Sequence, residues 1–111
     1  MINFLKYDVV VVKFPFASSL KYKARPVVII SSEIFNTNRR ETLMVLAISS
    51  SYNNKLDYEL ELDCWQEAGL LKPSVFKSSI ATIDKDVVIS KIGTLHESDI
   101  RKIQTMIGVV C

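Results

Sequence analysis

Arg25 stands immediately before Pro26 in the stretch KYKARPVVIISS, residues 21–32. Proline lacks an N–H and biases the residue before it toward extended backbone, so this guanidinium leaves the chain from a fixed point, where a polar loop becomes an apolar strand. A planar fork of donors held in that way matches phosphate oxygens; the alternative is a solvated loop arginine. Lys21 and Lys23 alternate with it and are either contacts for the phosphates of a polyanion, an attraction that weakens with salt, or solvated side chains. Between them, Tyr22 offers a ring that either stacks on an unpaired base or covers one end of the fold. A second group lies in LAISSS, where the apolar Leu46, Ala47 and Ile48 give way to Ser49, Ser50 and Ser51. Three hydroxyls at a strand tip are donors for a bound anion, or simply turn formers. Lys77 is either one more phosphate contact or a solvated side chain.

Other reactive residue types offer less. His96, the one histidine, precedes Glu97, Ser98 and Asp99 and reads as a helix-start residue. No spacing gives it a nucleophile to activate. Cys64 and Cys111 form no CxxC pair and, with a single histidine, give no zinc set, so neither metal nor cofactor is expected. A reducing compartment suits them, with Cys111 a free thiol, and Trp65 reads as packing or interface.

These residues need a scaffold. The 111 residues suffice for one domain, 1–111, and a composition 49% hydrophobic and 23% charged is that of a globular chain. A net charge of +2 makes no case for nucleic acid by itself; placement must make it. The basic residues gather at Lys21–Arg25 and Arg39–Arg40, the acidic ones at Glu59, Glu61, Asp63 and Glu67. The opening MINFLKYDVV has a lysine within its apolar stretch and no small-residue cleavage site, and no run approaches the ~18 apolar residues of a membrane span. A cytosolic protein is expected.

YDVVVVKFPF is a strand by its four valines, with Pro15 marking its edge or exit. PVVIIS and TLMVLAIS follow as strands on either side of an Asn-rich turn, EIFNTNRRE. YELEL alternates and predicts a half-solvated strand, with Tyr58, Leu60 and Leu62 on one face and Glu59 and Glu61 on the other. After DCWQEAGLLKP come short strands in SVFKS, SIATID and KIGTL, with KDVVIS as a helical turn between the last two. Such spacing predicts a small β-barrel. Only the last segment has helical period: Ile100, Ile103 and Ile107 recur at three and four residues, with Asp99 in the first turn.

In order and spacing, YDVVVVKFPF, ARPVVIIS, VLAISS, AGLLKPSVFKSSIATIDK and KIGTLHESDI resemble the MazF/PemK toxins of bacterial toxin–antitoxin pairs. The resemblance runs from about Tyr7 to the final helix. It implies a mainly β fold, a small SH3-like barrel with a C-terminal α-helix, assembled as a homodimer. The implied activity is metal-independent cleavage of single-stranded RNA, with a cognate antitoxin whose acidic disordered segment blocks the basic groove. The family's catalytic arginine matches Arg25, its strand-end hydroxyl matches Ser49, and Ser50 stands where members place another polar residue. Departures are Tyr7, where many members have glycine; Leu20, where some carry an acidic residue; Ala81, where some have arginine; and Ser49, which lacks the threonine methyl. Gyrase poisons share the fold but end in Trp-Gly-Ile, whereas this chain ends MIGVVC. A non-catalytic RNA- or protein-binding module is the other alternative.

Overall fold

A computed structural model describes residues 3–15, 22–51 and 55–111. Five strands, β1 (Asp8–Pro15), β2 (Tyr22–Ile29), β3 (Thr42–Ser49), β4 (Val75–Asp84) and β5 (Val88–Thr94), form one antiparallel sheet in the order β4-β3-β2-β1-β5. The edge strands β4 and β5 do not pair with each other, so the sheet curls without closing. The fold is mainly β with a C-terminal helix, and barrel is an approximate description of it.

The valine run of β1 is apolar on both sides because both faces of the sheet are covered. Val9 joins Val28, Leu46, Phe76, Ile103 and Met106 in one buried cluster, while Val10 and Val12 join Val27, Ile29, Leu43 and Val45 in another. Helix α2 (Glu97–Val110) lies over the first cluster through Ile103 and Met106, with Ile100 and Ile107 half-buried beside them. The helical period in the sequence therefore marks a real apolar stripe. His96 is its N-cap, Nδ1 accepting from the Ser98 N–H at 3.2 Å.

Several elements differ from the sequence expectation. SVFKS and SIATID are one continuous strand, β4, and KDVVIS splits into a 3₁₀ turn (Lys85–Val87) and the start of β5. EIFNTNRRE contains a four-residue helix, α1 (Glu33–Asn36), capped by Ser32 Oγ, which accepts from the Phe35 N–H at 3.3 Å. The alternating YELEL makes no strand. Glu61 alone bridges Val75, and Glu59, expected on a solvated face, is 3% exposed.

Glu59 turns inward because it has partners there. Its carboxylate accepts from the Leu56 N–H at 2.8 Å, the Ser78 N–H at 2.7 Å and Ser78 Oγ at 3.0 Å, and Lys77 Nζ lies 3.5 Å away. Burial acts to raise its pKa, but these bonds and the lysine together hold it below the ordinary carboxylate value. A lowered folded-state pKa contributes stability that is complete above the unfolded value of about 4.3 and disappears as pH falls through the folded one. Glu59→Gln should therefore be less stable than wild type at neutral pH. Thermal melts between about pH 7 and 3 should show the two converging on the acid side; a gap constant across that range would exclude this role.

Tyr7 has φ 74, in the left-handed region where glycine is favoured, at the position where many members of the resembled family carry glycine. The backbone holds the turn regardless: the Tyr7 N–H donates to Ile29 O at 2.7 Å and Tyr7 O accepts from the Leu95 N–H at 3.0 Å. The side chain offsets part of the strain by packing on the first cluster and accepting from Gln104 Nε2 at 3.1 Å.

Candidate active site

Strand β2 pairs with β3 only over Val27–Ile29, with Val27 opposite Ala47 and Val28 opposite Leu46. Continuing that register by two residues sets Arg25 opposite Ser49. The pairing stops first, because Pro26 has no N–H to give the ladder. Beyond that point β2 stays with β1, Val12 opposite Arg25, while β3 stays with β4, Ser49 opposite Val75. At the same level the β3–β4 register shifts, from Leu46 opposite Ile80 to Ile48 opposite Phe76. The two pairs separate and a cleft of about 680 Å³ opens between them.

The cleft holds part of what the sequence singled out. Arg25, Ser49 and Ser50 line it, together with Ser51 and Lys72. Its apolar floor is Val11 with Ile48, Leu70 and Ile92, the last three at the margin of the first core cluster. Ser49 Oγ accepts from the Ser51 N–H at 3.1 Å, a local turn bond that orients the hydroxyl and leaves its own proton to donate. Arg25 is half-buried, Ser49 likewise, and Ser50 is exposed. A guanidinium and an oriented hydroxyl beside an apolar floor can bind a phosphodiester and its adjoining base.

The second wall is the loop after Cys64, and glycine lets it approach. Gly69 has φ +87, and a Cβ there would fall 2.1 Å from Ile92 O; a Cβ on Gly93 would fall 2.4 Å from Ala68 O. The loop backbone thus lies directly on β5 and delivers Leu71, 94% exposed, and Lys72 to the cleft. Sequence reasoning missed Lys72. The signal available was Gly69 with Pro73, which marks a shaped loop but not the direction it takes.

Among the other expected site residues, Lys21 lies outside the described residues, as does Leu20, and Tyr22 and Lys23 are described as backbone positions of β2. Lys77 does not line the cleft; it pairs with Glu59. Ala81, half-buried, packs on the second cluster. Trp65 packs on the first, and Cys64 and Cys111 are free thiols. No helix among the described residues is long and apolar enough to cross a membrane.

The chain belongs to the PemK-like, MazF-like toxins of type II toxin–antitoxin systems, whose family model matches residues 5–111. Solved structures with the same fold include the Mycobacterium tuberculosis toxin MazF-mt6, at 24% identity and a TM-score of 0.74, covering 93% of this chain and 94% of that one. MazF from Deinococcus radiodurans superposes with a TM-score of 0.77 at 12% identity, covering 99% and 97%. A mycobacterial endoribonuclease in complex with its cognate antitoxin gives 0.74 at 18% identity, covering 99% and 94%. No curated protein sequence matches the chain.

Proposed function

We propose that this one-domain protein is the toxin of a toxin–antitoxin pair, a cytoplasmic endoribonuclease that cuts single-stranded mRNA without a metal ion. The observation that carries the reading is the register at the β2–β3 fork, which brings Arg25 and Ser49 to one cleft. RNA supplies its own nucleophile, the 2′-hydroxyl beside the scissile phosphate, so the protein has to position the strand and stabilise charge. As phosphorus becomes five-coordinate, negative charge grows on the non-bridging oxygens, where a fixed guanidinium acts most strongly. Arg25 takes that charge, and Ser49 Oγ donates a second bond. A guanidinium with a pKa above ~12 is a poor base, so Arg25 is assigned to charge stabilisation and not to proton transfer.

Ser50 and Lys72 contact flanking parts of the strand, and Lys21, Tyr22 and Lys23 supply further contacts to the RNA. Lys77 serves this surface less directly, since Glu59 holds it. The partners are single-stranded RNA, a second copy of the chain in a homodimer, and an antitoxin whose acidic disordered segment competes for the cleft. Support for the antitoxin comes from family membership and from the mycobacterial relative solved with its own.

Purified protein incubated with a long unstructured RNA in EDTA tests the reading. Discrete fragments with 2′,3′-cyclic phosphate ends are expected; intact RNA with stalled gyrase would replace the nuclease with a gyrase poison. Bound but uncut RNA would make the protein a binding module. Lys72→Ala should weaken RNA binding about equally across sequences and reduce the log–log salt slope by about 0.7, the contribution of one phosphate contact on a single strand. An unchanged slope would remove Lys72 from the interface.

A further inference from the structure

Outside the cleft lining, Cys64, Glu67 and His96 bring a sulfur, a carboxylate oxygen and an imidazole nitrogen within 4.8 Å of one another. Two segments supply them: Cys64 and Glu67 from the loop that becomes the cleft's second wall, and His96 from the cap of α2. Contacts among them are loose. His96 Nε2 lies 3.8 Å from Glu67 Oε2, beyond hydrogen-bond length, and Cys64 Sγ lies 3.8 Å from Ser98 Oγ. Three different ligand types thus lie close together without strong bonds between them.

We propose that Cys64, Glu67 and His96 bind a divalent transition metal of the zinc class, with water completing a four-coordinate site. Calcium and magnesium take oxygen ligands, whereas a borderline-soft ion accepts thiolate, imidazole and carboxylate together. Tetrahedral coordination at ~2.0 to 2.3 Å needs ligand atoms about 3.5 Å apart, so the three must draw in by about 1 Å. Glu67 and His96 are exposed and Cys64 is half-buried, so side-chain rotation can supply that movement.

The histidine has its second partner in place. Nδ1 accepts from the Ser98 N–H and lies 3.1 Å from Ser98 Oγ, which leaves the ring proton on Nε2. Metal binding at Nε2 moves that proton to Nδ1, which then donates to Ser98 Oγ in place of the bond it accepted from the Ser98 N–H, while the Cys64 thiol proton passes to solvent. Ligation by the thiolate releases one proton per ion bound. The ion would tie the loop carrying Gly69–Lys72 to the start of α2. Its role is to hold that wall in place, and it goes beyond the ribonuclease reading without resting on it.

Cobalt(II) added to reduced, metal-free full-length protein tests the site. A near-ultraviolet thiolate-to-cobalt band is expected in wild type and in Cys111→Ser and should be absent in Cys64→Ser. His96→Asn, which keeps a capping side chain, and Glu67→Gln should each bind cobalt at least about tenfold more weakly. Zinc should bleach the band and raise the melting temperature of wild type but not of Cys64→Ser. The proposal is overturned by the lack of a band in wild type, by a band that survives in Cys64→Ser, or by unchanged cobalt affinity in both His96→Asn and Glu67→Gln.

Discussion

Arg25→Ala is expected to lower the rate of RNA cleavage by about 10² or more, the usual consequence of removing one preorganised donor from a site of developing negative charge. The loss corresponds to about 2.7 kcal/mol of transition-state stabilisation and should appear chiefly in kcat. Arg25 is half-buried at the point where β2 leaves β3, so the rate is read beside the stability of each variant. Arg25→Lys keeps the charge and loses the planar fork, so it should recover only part of the rate. Single-turnover cleavage of a labelled RNA, with thermal melts of each variant, makes the measurement. An alanine variant that cuts at the wild-type rate would take Arg25 out of the mechanism.

The extended backbone at Arg25 was legible because Pro26 writes that constraint into the sequence, while the catalytic assignment came only with the resemblance. Ser49 was not legible from spacing: a strand ending in serines is common, and only the resemblance picked this one out. What places it is the β2–β3 register, a long-range fact that local pattern does not encode, although Pro26 already marks where pairing must end. The valine run of β1 was readable as a strand, and both its faces proved buried. The helix was readable for the same reason: one period of apolar residues meets one apolar surface.

Glu59 shows where the reading failed. Alternation assigns faces only when a segment is paired along its length, and residues 58–62 have the single Glu61–Val75 bridge. Freed from the pleat, Glu59 turned to the backbone donors that needed an acceptor. Lys72 was missed for a related reason. The direction of its loop is set by the contact of Gly69 and Gly93 with neighbouring backbone, and glycines in a sequence do not say which strand they will meet. The grouping of Cys64, Glu67 and His96 is likewise not written in their spacing, since Cys64 and His96 come together only where the loop folds back on α2.

Asp99→Ala is expected to cost about 3 kcal/mol of stability and about 10 °C in melting temperature. As sequence, Asp99 looks like an acidic residue favoured near a helix N-terminus, but its position four before Ile103 puts it on the buried stripe, and it is 0% exposed. Its two oxygens divide between two backbone donors, accepting from the Asp63 N–H at 2.8 Å and the Cys64 N–H at 3.0 Å. Alanine would leave both donors without their acceptor at a place where water has little access, and each such loss costs about 1 to 3 kcal/mol. Asp99→Asn should be nearly as damaging, because one of its two positions becomes an NH₂ facing an N–H. That comparison separates the bonding role from packing, since asparagine fills the same volume. Lys102 keeps a partial hold on the segment through Asp63 Oδ1 at 2.9 Å and Glu61 O at 2.8 Å, so the loop should loosen before the sheet does. Faster hydrogen exchange at the Asp63 and Cys64 amides, with the β1 amides still protected, would mark that order. A melting temperature lowered by less than about 3 °C in Asp99→Ala would show that the loop after Glu61 is held to α2 by something other than this carboxylate.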